Sequence, residues 1–183
     1  MRLVKCLALI CPIGAVPGLA QEFPVPTYGV VGPEGSIHMP DGEFRATWPV
    51  LGTWTILDEG EVTGQHVVYT QPGVIEHYLE TGTFPDGAVL IKELLEAEAD
   101  EYSTGTAAYA TDVTGWFVMV KDKQARFDGN DLWGLGWGWA YFDVGDRQTT
   151  TTSDYRFECK TCHVPAKQTD WIFLEGYPVL HTD

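Results

Sequence analysis

The sequence predicts an α+β fold, mainly an antiparallel β-sheet with a few helices. Short runs rich in β-branched and aromatic residues dominate the middle of the chain, whereas helical patterns occur only near its middle and its end. Strands and helices also lack the regular alternation of a parallel βαβ sheet. The 183 residues, of which 44% are hydrophobic, suffice for one domain with a buried core, which excludes intrinsic disorder.

The charge balance argues against two classes of partner. The chain carries 26 acidic and 11 basic side chains, for a formal net charge of −15. Phosphate backbones and anionic lipid surfaces both require a basic protein surface, so we expect neither nucleic-acid binding nor binding to a membrane surface. The charge favours a neutral or cationic partner instead.

Residues 1–20 have the three-part pattern of a secretory signal peptide. Arg2 and Lys5 precede an apolar run over residues 6–16, and small residues follow up to Ala20. The sequence therefore predicts cleavage after Ala20 and export to the periplasm. The apolar run is too short to span a bilayer and no later stretch is long enough, so we expect no membrane span.

Two of the four cysteines remain after such cleavage. Cys6 and Cys11 fall in the leader, and a lipoprotein anchor at Cys11 is disfavoured because a large residue, Ile10, precedes it. Cys159 and Cys162 are three positions apart, too close to form a disulfide scaffold between distant segments. We therefore expect these two cysteines to take part in local chemistry.

The mature chain divides into an irregular lead-in, residues 21–44, and a single domain, residues 45–183. Pro and Gly are frequent in the lead-in. A first strand is predicted between Trp48 and Trp54, and a second over residues 66–70.

A helix is predicted over residues 72–80, with a proline at its start and Gly82 as its stop signal. Residues 89–94 form a predicted strand, although their continuation is also compatible with a helix. Residues 115–121 form another β-rich run.

Residues 132–142 have the clearest strand pattern. Alternation places one set of residues on one face, namely Trp133, Leu135, Trp137, Trp139 and Tyr141. It places a smaller set on the other face, namely Gly134, Gly136, Gly138 and Ala140. Because glycine weakens a strand, three glycines on one face indicate that something bulky or flat packs there, either a helix or a planar cofactor.

The segment Cys159-Lys160-Thr161-Cys162-His163 is a C-x-x-C-H motif, the attachment signature of a c-type haem. On a helical turn both thiols lie on one face and can form thioethers with the two vinyl groups, while His163 provides an axial nitrogen to the iron. We therefore predict one covalently bound haem c on a C-terminal helix. A redox-active cysteine pair and half of a zinc site are less favoured, because neither a βαβ start nor a second ligand pair lies nearby.

The sixth iron position separates electron carriers from reactive haems. Six residues are candidates for it, and none has a strong ligand signature: His38, Met39, His66, His77, Met119 and His181. Met119 lies in an apolar strand and is expected in the core. The sequence therefore favours an open, five-coordinate iron.

Four blocks of sequence, taken together, point to a family. The first reads I-E-H-Y-L-E-T-G-T-F-P-D-G from residue 75, and the second reads A-V-L-I-K-E-L from residue 88. The third is the Trp-rich run over residues 137–143, and the last joins Glu158 and the C-x-x-C-H motif to T-D-W-I-F and Y-P-V-L. These blocks, within residues 45–181, resemble the cytochrome P-460 family and its relative cytochrome c′-β.

The resemblance implies a periplasmic protein, usually a homodimer, with a mostly antiparallel β fold. Cytochromes of the P-460 type oxidise hydroxylamine at a five-coordinate haem with an extra bond from a lysine nitrogen to the porphyrin rim. Cytochrome c′-β lacks this bond and binds nitric oxide in an apolar pocket.

The resemblance also assigns roles to individual residues. Lys92 corresponds to the cross-linked lysine, and the apolar strand face that it shares with Leu90 and Leu94 favours the neutral, nucleophilic amine. The alternative for Lys92 is a solvated lysine on an edge strand. Glu158 corresponds to a proton-relaying glutamate, with a helix-end acid as the alternative. His66 stands where family members carry an arginine, and it can lend a proton, cap the strand or bind iron.

The sequence thus predicts a periplasmic mono-haem c-type cytochrome that oxidises hydroxylamine or a related nitrogen oxide and passes electrons to a redox partner. His163 is the predicted iron ligand, Cys159 and Cys162 the haem anchors, and Lys92, Glu158 and His66 the catalytic residues. The alternatives are a non-catalytic nitric-oxide-binding protein and a simple electron carrier, which would need a sixth protein ligand.

Overall fold

A computed structural model describes residues 23–181 as a six-stranded antiparallel sheet with a few short helices, which confirms the predicted α+β fold. The strands are β1 Val50–Asp58, β2 Glu61–Thr70, β3 Val89–Tyr102, β4 Gly105–Lys121, β5 Trp133–Gly134 and β6 Trp137–Asp143. Their order across the sheet is β1-β2-β3-β4-β6-β5. The helices are α1 Phe44–Thr47, α2 Val74–Thr81, α3 Tyr155–Glu158 and α4 Lys160–His163.

The predicted signal peptide, residues 1–20, lies outside the described residues. Within residues 23–181 no helix is both long enough and apolar enough to cross a membrane.

The helix predicted over residues 72–80 is α2, and it ends where the sequence placed the stop signal. Gly82 adopts the left-handed conformation at φ +69° and donates its N–H to the carbonyl of Tyr78, as glycine does at helix C-termini. The segment from residue 89 is entirely strand, because β3 pairs with β2 on one side and with β4 on the other. Pairing on both sides therefore excludes the helical alternative.

The single strand predicted over residues 132–142 is wrong, because the chain reverses direction at Leu135 and Gly136. Both residues have positive φ, +60° and +81°, as in the two-residue turns that favour tight hairpins. Trp133 is therefore paired opposite Gly138 and packs on the other face of the sheet from Trp139. A period-two pattern carries no information about a reversal within it, so the five residues predicted on one face are divided between two.

The glycines of this hairpin make room for side chains rather than for a planar cofactor. A Cβ atom on Gly138 would lie 2.8 Å from the indole of Trp133. A Cβ atom on Gly134 would lie 2.0 Å from the hydroxyl of Tyr155 on α3. The close packing that the glycines predicted is present, with a tryptophan and a short helix as the packing groups.

The sheet has two differently covered faces. On the first, the cavity face, Leu90 pairs with Met119, which pairs with Trp139. Helix α2 and the C-terminal segment from residue 155 pack over this face. On the second, the closed face, Ile91 pairs with Val118, and the irregular lead-in covers the strands.

The lead-in is irregular, as predicted, but it contributes to the core. Between residues 23 and 43 the described structure consists of the short 3₁₀ turn Pro33–Gly35 and an isolated bridge between Val31 and Ile37. Val30, Ile37 and Met39 are nevertheless at most 1% exposed against the closed face. Each such buried side chain contributes ~1.5–3 kcal/mol to stability, so this segment anchors one face of the sheet.

Strands β3 and β4 extend beyond the rest of the sheet. Strand β2 pairs with β3 only as far as Leu95, whereas β3 and β4 continue to pair up to Tyr102 and Gly105. The outer part of this ribbon, residues 96–112, is here called the hairpin arm. It is mostly exposed on both faces.

Candidate active site

The cavity face encloses a cavity of about 430 Å³ between the sheet and the C-terminal segment. This size lies within the range of small-molecule and cofactor sites. Most of its walls are apolar, from residues such as Trp54, Val68, Leu90, Met119 and Ile172. The groups that bear polar or reactive atoms are His66, Lys92, Glu158, Cys159, Cys162, His163 and Tyr177. All six of the residues predicted for the site therefore lie around one cavity, together with Tyr177.

The C-x-x-C-H motif lies on two consecutive short helices. Helix α3 begins at Tyr155, and its N-cap is Asp154, whose carboxylate accepts the N–H of Arg156 at 2.8 Å and so fixes the start of the helix. Cys159 joins α3 to α4, and α4 then carries Cys162 and His163. The helix predicted for this motif is present, although each piece is only four residues long.

The two cysteines differ in their exposure. Cys159 is buried and Cys162 is exposed, and both line the cavity. Burial raises the pKa of the Cys159 thiol to about 11, so this group is a neutral thiol at neutral pH.

The imidazole of His163 is oriented by one backbone carbonyl. Its Nδ1 lies 2.6 Å from the carbonyl oxygen of Trp171, so Nδ1 donates and Nε2 keeps its lone pair for a metal ion. The ring meets Trp139 edge-on at 5.0 Å between centroids and Phe173 at 5.5 Å. Burial lowers the pKa of His163, which favours the neutral ring that ligates iron.

The carbonyl that orients His163 belongs to a strained turn. Asp170 and Trp171 have φ of +58° and +68°, a conformation that is unfavourable for residues with a Cβ atom. Lys121 holds the turn through its Nζ, which lies 2.9 Å from the Asp170 carboxylate, and Trp137 donates from Nε1 to the Asp170 carbonyl at 2.9 Å. The T-D-W block thus has a structural role, in placing the carbonyl of Trp171, that sequence reasoning did not identify.

Lys92 enters the cavity from the middle of β3. It pairs with Val68 on β2 and with Phe117 on β4, and its Nζ lies 5.7 Å from the centroid of the Phe117 ring. Among residues 23–181 no side chain forms an ion pair or hydrogen bond with this amine. Burial lowers the pKa of Lys92. The predicted apolar setting is confirmed, and the solvated edge-strand alternative is wrong because β3 is central in the sheet.

His66 lines the cavity from β2, where it pairs with Trp54 on one side and Leu94 on the other. Burial, with a smaller contribution from the charge of Lys92, lowers the pKa of His66 to about 4. The imidazole is therefore neutral at physiological pH and carries both a donor and an acceptor nitrogen.

Glu158 is at the exposed rim of the cavity. Its carboxylate accepts the hydroxyl of Ser153 at 2.6 Å and the N–H of the same residue at 3.1 Å, and these bonds lower the pKa of Glu158. Glu158 therefore lies both at a helix end, as the helix-end alternative requires, and beside the cavity, as a proton relay requires.

Two of the six candidates for a sixth iron ligand line the cavity, His66 and Met119. His38 instead lies 2.6 Å from the carbonyl of Gln148, and His181 lies 3.0 Å from the carbonyl of Leu174. Met39 is buried on the closed face, and His77 is on α2.

The residues of the cavity fit a haem. Two cysteines and a histidine with a free Nε2 stand on one wall, and large apolar surfaces from Trp54, Phe117 and Trp139 suit a flat, mostly apolar ring. The buried, neutral state of His163 matches what iron ligation requires.

Comparison with known proteins agrees with this chemistry. A model of the Cytochrome P460 family matches residues 43–174, well over half of the chain and the whole span from α1 through the C-x-x-C-H motif. No curated protein matches the chain. The chain therefore belongs to the cytochrome P460 family, which implies that it binds haem.

Proposed function

We propose that this cytochrome oxidises hydroxylamine, or a related small nitrogen oxide, at a single haem c bound in the cavity. The observation that carries the proposal is the meeting of Lys92 with Cys159, Cys162 and His163 around one cavity, although the lysine is far from the motif in sequence. When bound, the haem would supply an iron centre that accepts electrons from the nitrogen substrate.

The C-x-x-C-H residues hold the haem in this proposal. Cys159 and Cys162 form the two thioethers, and His163 ligates the iron through Nε2. The bond from Nδ1 of His163 to the carbonyl of Trp171 fixes the ring orientation and increases the basicity of the ligating nitrogen.

Lys92 would supply the amine nitrogen for the cross-link to the porphyrin rim. The lowered pKa and the absence of an ion-pair partner among the described residues keep a larger fraction of the amine neutral and nucleophilic. Such a bond would replace one N–H and one ring C–H, so its formation would require a two-electron oxidant such as a peroxide to take up two electrons and two protons.

Glu158 and His66 handle protons in this proposal. Oxidation of hydroxylamine releases protons as well as electrons, and a base within hydrogen-bond reach accelerates such steps by ~10²–10⁴. Glu158 is anionic at the rim of the cavity, where it can pass a proton to solvent, and His66 is a neutral donor and acceptor inside.

A non-catalytic nitric-oxide-binding protein is the second candidate. The apolar walls favour it, as does the bond of the Glu158 carboxylate to Ser153. A plain electron carrier would require His66 or Met119 as a sixth ligand.

The optical spectrum of the purified ferrous protein tests the proposal. We expect a red-shifted, broadened Soret band and a haem-bearing tryptic peptide that joins the Lys92 segment to Cys159 and Cys162. Lys92→Met should return an ordinary c-type spectrum, and Lys167→Gln, a change of an exposed lysine, should leave it unaltered. An ordinary spectrum in the unaltered protein, with nitric-oxide binding and no hydroxylamine oxidation, would establish the second candidate.

We also propose a homodimer and export to the periplasm. A two-stranded ribbon without further packing is marginally stable, so the hairpin arm supports a second copy as its packing partner. Sedimentation at several concentrations tests the dimer. An amino terminus at Gln21 in protein from the periplasmic fraction tests export.

A further inference from the structure

Tyr177, like Lys92 and His66, is a polar group of the cavity without a hydrogen-bond partner in the described part of the chain. Glu158 is bonded to Ser153, and His163 to a backbone carbonyl, whereas the hydroxyl of Tyr177 has no hydrogen-bond partner among residues 23–181. The residue is only 7% exposed. Over the same range, Nη2 of Arg147 is the one side-chain nitrogen or oxygen that is both fully buried and without a partner. The Tyr177 oxygen also lacks a partner, so it is not fully buried and must border accessible space. Tyr177 lines the cavity, so the accessible space next to its hydroxyl is assigned to that cavity.

The backbone around Tyr177 is held in place. The residue follows the 3₁₀ turn Leu174–Gly176 and donates its N–H to the carbonyl of Leu174 at 2.9 Å. The turn lies directly against β1, because a Cβ atom on Gly52 would be 1.8 Å from the carbonyl oxygen of Gly176. Pro178 then restricts the backbone on the other side. A tyrosine has few rotatable bonds, so its hydroxyl is presented at a defined position with little entropy left to lose.

The phenol has the protonation state of a donor. Burial raises the pKa of Tyr177 well above its ordinary value, so the hydroxyl keeps its proton throughout the physiological range. Buried polar groups in folded proteins are almost always hydrogen-bonded. A protonated, immobilised hydroxyl that faces a cavity without a protein acceptor therefore indicates an acceptor on the occupant of that cavity.

We infer that Tyr177 is a positioning residue whose phenolic O–H donates a hydrogen bond to a negatively charged or partly negative oxygen of the group held in the cavity. The inference rests on the proposed haem site. Two sources of such an oxygen exist there, a carboxylate of the haem and an oxygen of a small molecule bound at the iron. The shared chemistry is an oxygen acceptor, and the two sources give different experimental signatures.

Tyr177→Phe in the haem-loaded protein tests the inference, because it removes the hydroxyl and keeps the ring. Tyr78→Phe is the matched control, since Tyr78 packs against the same core from α2 and does not line the cavity. Covalent haem, measured by haem staining, should be unchanged in both variants. The midpoint potential and the N–O stretching frequency of nitric oxide added to the ferrous protein are then compared.

If the acceptor is a haem carboxylate, Tyr177→Phe should lower the midpoint potential, because the carboxylate charge then stabilises the ferric state more strongly. If the acceptor is an oxygen at the iron, the N–O stretch should move to higher frequency, because the hydrogen bond that weakened the N–O bond is lost. Tyr78→Phe should change neither quantity.

A second readout needs no folded variant. In the unaltered protein, exchange into D₂O should shift a vibrational band of the acceptor. This band is the N–O stretch if the acceptor is an oxygen at the iron, and a carboxylate stretch of the haem if the acceptor is a haem carboxylate. An unchanged potential and frequency in fully loaded Tyr177→Phe overturns the inference, as does the absence of any D₂O shift. Failure of the unaltered protein to bind haem would instead overturn the proposed function, so the two failures are distinguishable.

Discussion

Lys92 and Glu93 are neighbours on β3 and point to opposite faces of the sheet, where they have very different surroundings. Glu93 is 2% exposed on the closed face, and its carboxylate accepts hydrogen bonds from Arg45, from Nε1 of Trp116 at 2.9 Å and from the hydroxyl of Tyr69. Lys92 faces the cavity, and its Nζ lies over the Phe117 ring at 5.7 Å from the centroid.

The difference shows what each face is for. On the closed face a buried charge is satisfied by three side chains, as the cost of desolvation requires, and the space between the sheet and the lead-in is filled. On the cavity face an amine, an imidazole and a phenol line open space without protein partners among residues 23–181. Both faces contain buried hydrophobic clusters, but the first satisfies its buried charge within the protein, whereas the second keeps reactive groups available.

The largest expected effect comes from the cysteines of the cavity face. Cys159→Ala combined with Cys162→Ala should abolish covalent haem, because both thioether bonds are lost. Haem staining after denaturing electrophoresis measures the result. Full staining in the double variant would contradict the assignment, and Cys6→Ala, in the predicted leader, is the control that should stain normally.

Glu158→Gln should reduce hydroxylamine oxidation by ~10²–10⁴, because the amide keeps the shape of the carboxylate but cannot accept the proton. Covalent haem and hydroxylamine binding to ferric iron should be retained. Turnover with an artificial electron acceptor measures the effect.

The bond from Ser153 provides a second variant for the same position. Ser153→Ala removes the hydroxyl donor to Glu158 and should destabilise the start of α3 while leaving the carboxylate in place. Normal turnover in Glu158→Gln, together with equal losses of stability in the two variants, would show that Glu158 only supports the helix end.

Glu93→Gln tests the stabilising role of the closed face. The substitution removes the charge that Arg45 pairs with and leaves the N–H of Trp116 and the hydroxyl of Tyr69 with a weaker acceptor. We expect a loss of about 1–3 kcal/mol in the free energy of unfolding, measured by urea denaturation, with hydroxylamine oxidation unchanged. Glu96→Gln, an exposed position on the same strand, should be neutral within about 0.5 kcal/mol. Impaired turnover without a loss of stability would show that Glu93, although it lies on the closed face, affects catalysis and not stability.

The sequence predicted those parts of the fold that local patterns determine. Strand periodicity, the glycine that ends α2, and the C-x-x-C-H spacing all act within a few residues, and each is present in the structure, although α2 begins at Val74 and not at the predicted proline, Pro72. The turn at Leu135 was missed because a leucine with positive φ is rare, and its conformation is imposed by the pairing of β5 with β6.

The site was predicted in its residues but not in its contacts. Lys92 and Glu158 were assigned through family resemblance, and the alternation of β3 supported the first of them. The carbonyl of Trp171 and the hydroxyl of Tyr177 were missed, because a strained turn and an unpartnered phenol arise from tertiary packing and leave no periodic pattern. The buried network of Glu93 was missed for the same reason, since its partner Arg45 lies in the first helix, far away in sequence.

The smallest expected effect concerns the pH dependence of stability on the cavity face. Because the pKa of His66 is lowered to about 4 from its ordinary 6.5, the unfolded chain binds a proton at this imidazole between these pH values that the folded protein does not bind. The stabilising contribution of neutral His66 is therefore complete above about pH 6.5 and is lost as the pH falls to about 4, below which both states are protonated. In urea denaturation across this range, His66→Gln should flatten part of the decline, whereas His77→Gln, on α2 outside the cavity, should follow the unaltered protein. An identical decline in His66→Gln would mean that the acid sensitivity arises from other groups, and it would contradict this prediction.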